Sequence, residues 1–437
     1  MSVIRMIKAT DEEQLNSLLD KRISNIDELA ARVAAIMEEV QQTGDPALCA
    51  FTRRFDGANL STAQLKVSPA EMEQAYAAVD QEVLKSLRLA KDRIERFHQK
   101  QLSRSWFQPE EDGTILGQLI LPLERVGIYV PGGTASYPSS VLMNAIPAKV
   151  AGVGRIIMVT PPQADGSVNP YTLVAAAEAG VDEVYKVGGA QAVAALAYGT
   201  ESIQRVDKIT GPGNIYVTLA KRLVYGQVGI DMLAGPSEVL VVADGSANPE
   251  YAAADMLSQA EHDRLASAIF LTHDEDLAVK VSRELERQLT ELPRQEIAQE
   301  ALTNHSAIVI TGGLSESLAL ANQFAPEHLE LLVEQPFECL GQIKNAGAIF
   351  LGPYSPEPVG DYLAGPNHVL PTSGTARFYS PLNVDTFMKK SSVISFSKES
   401  LLKLGSDITR LAEVEGLQAH ANAVRVRLKG SEDDVSL

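Results

Sequence analysis

Apolar positions along the chain fall into two textures. From Asn25 to about Gln101 they recur at helical spacing, as in IDELAARVAAIMEEVQQTG, which closes on Gly44, a glycine suited to a helix C-cap. A second helical run, SPAEMEQAYAAVDQEVLKSLRLAKDRIERFHQ, opens with Ser68 as N-cap and Pro69 as the first helical residue. Glu71, three residues after Ser68, completes a capping box. From Gly113 the texture changes: ILGQLILPLERVGIYVPGG alternates and is β-branched, predicting strands that end in the turn Pro131-Gly132-Gly133.

Strand and helix patterns then alternate. RIIMVTPP, EVYKVGG and DKITGPG read as strands, and YTLVAAAEAG, AQAVAALAYG and NIYVTLAKRLVYG as helices. A second round begins at Ser237, with strands EVLVVAD, SAIFLTH, SAIVIT, ELLVEQ and AIFLG. Its helices are NPEYAAADMLSQAEH, EDLAVKVSRELERQL, LSESLALANQFA and ECLGQIKNAG. Alternation of this kind implies parallel sheets with helices on their faces. The expected fold is α/β, with two doubly wound, Rossmann-like domains and small N- and C-terminal tail segments. The boundaries are a tail over 1–25, a first domain over 26–236, a second over 237–382, and a C-terminal tail domain over 383–437. Within the second domain, 352–382 is rich in Gly, Pro and Ser and reads as a long loop, a place where function concentrates. The closing GSEDDVSL reads as a frayed acidic end.

Composition narrows the partners. A formal net charge of −18 would repel phosphates, which argues against nucleic acid or an anionic membrane surface. Cys49 and Cys339 have no metal-like spacing, so neither a disulfide framework nor a cysteine zinc site is expected. The N-terminus lacks the apolar core of a secretory signal and no apolar run reaches bilayer length, so a cytoplasmic protein without a membrane partner is expected.

Several residues carry candidate chemistry. Gln259 and His262, three apart, would share a helix face and offer an amide oxygen and an imidazole to one metal ion. Taken alone, such a pair reads more readily as two residues of a solvent face, and two ligands leave a four-coordinate zinc incomplete. Asp361 and His368 in the Gly/Pro loop and His420 near the C-terminus could complete a site for zinc, or manganese in its place. Glu327 and His328, in a turn after Pro326, could line one cleft as a general acid–base pair, or could stand as exposed polar residues where a strand begins. No G-x-G-x-x-G, Walker loop or G-x-S-x-G elbow occurs. Glycine turns at Pro131-Gly132-Gly133, Gly188-Gly189 and Gly211-Pro212-Gly213 each stand between strand and helix, where a backbone can approach a dinucleotide.

These pieces also form an ordered series: YVPGG (129–133), VGGAQAVAALAYGT (187–200), DKITGPGN (207–214), AGPSEVLV (234–241), MLSQAEH (256–262), PEHL (326–329), GDY (360–362), NHVLPT (367–372) and LQAHANAV (417–424). The series resembles the histidinol dehydrogenases, from the N-terminal helices to roughly Arg427. The resemblance implies two successive NAD-linked oxidations of L-histidinol, through the aldehyde, to L-histidine. It implies one zinc per subunit on Gln259, His262, Asp361 and His420, and acid–base roles for Glu327 and His328. Substrate contacts would fall on Ser237, His368 and Glu415, besides the zinc ligands and His328, and NAD contacts on Tyr129, Gln191 and Asn214. It further implies a homodimer whose C-terminal segment, with Glu415 and His420, reaches the partner's site. Two rival readings are a related NAD-dependent dehydrogenase for another small alcohol and a zinc hydrolase; a non-catalytic metal-binding scaffold is a third. Glu415 and His420, present at the imidazole-binding end, favour histidinol over the first, and nucleotide binding separates a dehydrogenase from the second.

Overall fold

The computed structural model describes residues 3–19, 26–132 and 137–429. Gly133 and the closing GSEDDVSL lie outside the described residues. In chain order the strands are Arg5–Lys8 (β1), Trp106–Pro109 (β2), Ile115–Pro122 (β3), Arg125–Tyr129 (β4), Arg155–Thr160 (β5), Glu183–Lys186 (β6) and Lys208–Thr210 (β7). Gly229–Ile230 (β8), Glu238–Ala243 (β9), Ser267–Thr272 (β10), Ala307–Ile310 (β11), His328–Leu332 (β12), Ala348–Leu351 (β13) and Met388–Ser395 (β14) follow.

The chain divides into two compact units, Met1–Gln101 with Leu123–Phe387, and Leu102–Pro122 with Met388–Leu437. The first holds two parallel sheets, one of five strands in the order β6-β5-β4-β7-β8 and one of six in the order β1-β11-β10-β9-β12-β13. Both are α/β sheets of the expected kind. Strands in their centres are buried along nearly their whole length because helices cover both faces, and they are mostly apolar: every residue of β9 is buried, as is all of β5 except Arg155. At about 1.5–3 kcal/mol for each buried Val, Leu or Ile side chain, these sheets are the main source of stability.

Several expectations change. The segment read as an N-terminal tail supplies β1, whose Arg5 to Lys8 pair in parallel with Ala307 to Ile310, and the helix Glu12–Leu19. Its charged exterior hid two buried anchors, Ile4 and Ile7. The expected long helix after Ser68 is two helices, Pro69–Ala78 and Gln81–Gln99, because Val79 is extended and Asp80 caps the second through Glu82 N and Val83 N. The capping box at its start is formed, with Ser68 N donating to a Glu71 carboxylate oxygen at 2.8 Å and Glu71 N to Ser68 Oγ at 3.3 Å. The helix Gln295–His305 went unread, and ECLGQIKNAG keeps only a short helical turn, Pro336–Cys339, and a 3₁₀ turn.

In the second unit, β14, β3 and β2 form an antiparallel sheet in that order. The unit therefore draws on 102–122 as well as the C-terminal segment; the alternation read in ILGQLILPLERVGIYV is shared between β3 here and β4 in the first unit. The helices Lys398–Val414 and Gln418–Lys429 pack closely at Gly405, where an added Cβ would stand 2.8 Å from Leu428.

Candidate active site

The clearest site gathers at the amino ends of β9 and β12, which lie side by side with His328 opposite Val239. Here the backbone N–H and C=O of Glu238 hold the two members of the expected acid–base pair. Its N–H donates to Glu327 Oε2 at 2.9 Å, and its carbonyl accepts from His328 Nδ1 at 2.8 Å. Glu327 and His328 are thus buried rather than exposed, with His328 Nδ1 3.8 Å from Glu327 Oε2. Burial raises the Glu327 carboxyl well above its ordinary value, against the pull of the Glu238 N–H. Burial also depresses His328, to about 4. With Nδ1 donating to a carbonyl, the neutral imidazole has its lone pair on Nε2.

His328 Nε2 looks toward a cluster of donors, standing 4.0 Å from Glu357 Oε1. His262, Glu357 and Asp361 each offer a ligand atom within 4.8 Å of the others. Burial and the neighbouring Asp361 push Glu357 up to about 9. Burial works against ionised Asp361 too, but His368, with Nδ1 3.5 Å from Asp361 Oδ1, together with His328 and Glu357 holds the carboxyl below its ordinary value. Two crowded carboxylates and an imidazole are the donor set of a divalent cation.

Gln259 sits in the last turn of the helix Pro249–Ala260, and its buried Oε1 has no hydrogen-bond partner. Such an orphaned acceptor fits a cation ligand. The adjacent Ser258 donates to Glu357 at 3.4 Å, tying this turn to the cluster. The expected helical face is corrected in one respect: the helix ends at Ala260, and His262 lies in the exposed turn beyond it, its N–H donating to Gln259 O. Asp361, read as a loop residue, is on a short helix, Glu357–Tyr362. Ser237 precedes β9 and is half-buried; His368 Nε2 stands 3.5 Å from Ser140 Oγ. Glu415 and His420 belong to the second unit, where both are exposed.

Glu357 and Glu238 are the residues the sequence reading missed. Glu357 lies four before Asp361, a spacing that puts both on one helix face, but the Gly/Pro composition concealed the helix. Glu238 reads as an ordinary strand start. Its role comes through backbone atoms, which leave no sequence signal.

The three nucleotide candidates occupy the carboxyl ends of the five-stranded sheet. Tyr129 ends β4, buried, its hydroxyl accepting from Gly189 N at 3.1 Å and raised by that burial to about 12. Gln191 is buried in the first turn of the helix Gly189–Tyr198 with Nε2 unpartnered. Asn214 caps the helix Ile215–Val224, its Oδ1 accepting from Tyr216 N and Val217 N. A side chain at Gly188 would meet Pro161 at 2.5 Å, and one at Gly211 would meet the Tyr129 carbonyl at 2.1 Å, so bare backbone lines this edge.

Winding and site together define a two-sheet α/β enzyme with a buried carboxylate–imidazole pair beside a metal-type donor cluster. A family model described as histidinol dehydrogenase matches residues 19–428. The chain is 60% identical to a histidinol dehydrogenase of Heliobacterium mobile over 98% of this chain and 100% of that one. It is 59% identical to that of Carboxydothermus hydrogenoformans over 96% of this chain and 98% of the relative. A crystal structure of histidinol dehydrogenase from Elizabethkingia anophelis superposes with a TM-score of 0.94 at 39% identity, covering 99% of both chains. The chain belongs to the histidinol dehydrogenase family.

Proposed function

We propose that the protein oxidises L-histidinol through L-histidinal to L-histidine in the cytoplasm, with NAD and one zinc ion per subunit, as a homodimer. The observation that carries the reading is the Glu238 backbone N–H and C=O holding Glu327 and His328 beside the His262–Glu357–Asp361 cluster, in a chain of this family. When bound, NAD supplies the hydride acceptor and zinc a Lewis acid that orients substrate nitrogens.

Gln259, His262 and Asp361, with His420 from a second copy of the chain, would hold the zinc. Glu357 adds a further carboxylate oxygen to that donor set. Tyr129, Gln191 and Asn214 would hold NAD. The five-stranded order supports this, because the winding reverses between β4 and β7, and ligands of open α/β sheets bind beyond the carboxyl ends at such a point. Ser237, His368 and Glu415 would contact the substrate.

His328 Nε2 takes the hydroxyl proton as the alcohol carbon is oxidised. Glu327, with Oε2 engaged by the Glu238 N–H, accepts a proton from the water that adds to the aldehyde, and the hydrate is oxidised in the second round. Burial makes its carboxylate a stronger base than an exposed glutamate. Exposed apolar side chains on the second unit, among them Trp106, Phe107, Ile394 and Val414, support a covering partner copy.

The test is the NADH formed per L-histidinol consumed with zinc present. Two is expected; one would mean the aldehyde escapes; none from folded, zinc-loaded protein would favour a relative acting on another small alcohol. Mixing His328→Asn and His420→Asn chains should recover activity if sites are shared, and no recovery after verified subunit exchange would rule that out.

A further inference from the structure

One buried ion pair lies outside the chemistry described so far. Lys221, on the helix Ile215–Val224, has a side chain 2% exposed, and its partner Asp231, after β8, has one 0% exposed. Lys221 Nζ stands 2.5 Å from Asp231 Oδ1. Both groups also grip the backbone of one residue. Gly211 N donates to Asp231 Oδ2 at 2.8 Å, and Lys221 Nζ donates to Gly211 O at 2.9 Å. Met232 N donates to Asp231 Oδ1 at 2.6 Å, fixing the carboxylate from its own side.

Gly211 is the first residue beyond β7, where strand pairing stops holding the chain. Its φ of +110° lets the backbone pass against the Tyr129 carbonyl. Three residues later Asn214 caps the helix that carries Lys221. The pair therefore closes a loop: it fixes the glycine turn, the turn sets where Asn214 and the helix N-terminus stand, and the helix returns Lys221 to the turn. Burying two charges costs more than an apolar contact of the same volume would, so packing alone does not account for the pair. What the charges supply is an ordered turn whose N–H and C=O both point inward.

We infer that Lys221 and Asp231 are positioning residues for the dinucleotide, holding the Gly211–Asn214 turn and the following helix N-terminus in place for its pyrophosphate. This rests on the nucleotide reading of that edge. Neither residue is a catalytic residue; both act through backbone that the nucleotide touches.

The experiment is NADH binding to the zinc-loaded protein, followed by fluorescence titration, for the unmodified protein and for Lys221→Met/Asp231→Asn, which removes both charges together. The double variant is expected to stay folded, to bind NADH at least about tenfold more weakly, and to show a raised KM for NAD. Its KM for histidinol and its kcat at saturating NAD should stay within about twofold. NADH affinity within twofold of the unmodified protein would overturn the inference. If the double variant does not fold, Asp231→Asn alone carries the same expectation, and failure of both to fold would mark the pair as structural and overturn it. If the unmodified protein binds no NADH, the nucleotide reading itself fails.

Discussion

The two parallel sheets are wound alike and, on the proposed reading, used from opposite ends. Setting β1 aside, their orders β6-β5-β4-β7-β8 and β11-β10-β9-β12-β13 are the same, each reversing between its first and fourth strands. The five-stranded sheet presents its carboxyl edge, where the helices Gly189–Tyr198 and Ile215–Val224 begin. The six-stranded sheet presents its amino edge, where the helices Pro249–Ala260 and Leu314–Phe324 end. Helix starts gather unsatisfied N–H groups and partial positive charge, suited to a pyrophosphate; helix ends gather carbonyls and partial negative charge, suited to a cation. Winding order thus locates a crevice, while the edge used selects the sign of the ligand.

The comparison can be broken at either edge. On the amino edge Glu327→Gln, which removes the base but keeps the shape, should lower histidinal oxidation by about 10²–10⁴-fold and histidinol oxidation less. Equal losses in the two half-reactions would remove its role with water. His262→Asn should weaken zinc at least about 100-fold, since loss even of an outer-shell partner costs up to that much; metal analysis showing one retained ion per chain would refute the ligand. On the carboxyl edge Gly211→Ala should cost about 3 kcal/mol through overpacking and the left-handed backbone, with zinc content unchanged. An unshifted melting curve would show that the Tyr129 contact yields easily.

The smallest effect is a pH effect on the backbone-lined edge. Burial raises Asp56 to about 6, and its carboxylate in turn raises Tyr129. A raised carboxyl favours the fold while protonated; that contribution is complete below the unfolded value near 3.8 and is lost as pH rises through about 6. Asp56→Asn should therefore add about 1 kcal/mol of stability at pH 8, after discounting for partial exposure, and nothing near pH 4. Equal melting shifts at both pH values would point to packing instead.

Which parts were legible follows from what each residue does with its side chain. Repeated strand and helix periods announced both sheets, and Ser68 and Glu71 announced their capping box, because those signals are local. Gln259, His262, Asp361, Glu327 and His328 could be singled out because their side chains are of the types that bind metals or exchange protons. The sequence could not show that the backbone of one residue, Glu238, holds two of them, or that Gly/Pro punctuation contains a helix bearing Glu357. β1 was missed because four residues of which only Ile7 is buried look like a lead-in until their distant partner is known. Lys221 and Asp231 carried no motif, and only their burial against each other distinguishes them.

That first strand has a consequence in time. Arg5 is opposite Ala307, so the sheet edge cannot close until some 300 further residues have been made. At roughly 5–20 residues per second, the opening segment waits about 15–60 s on the ribosome for its partner. Throughout that interval Ile4 and Ile7 lack their partner strand, and a chaperone that shields this segment as the chain emerges should raise the yield of folded protein more than one acting after release.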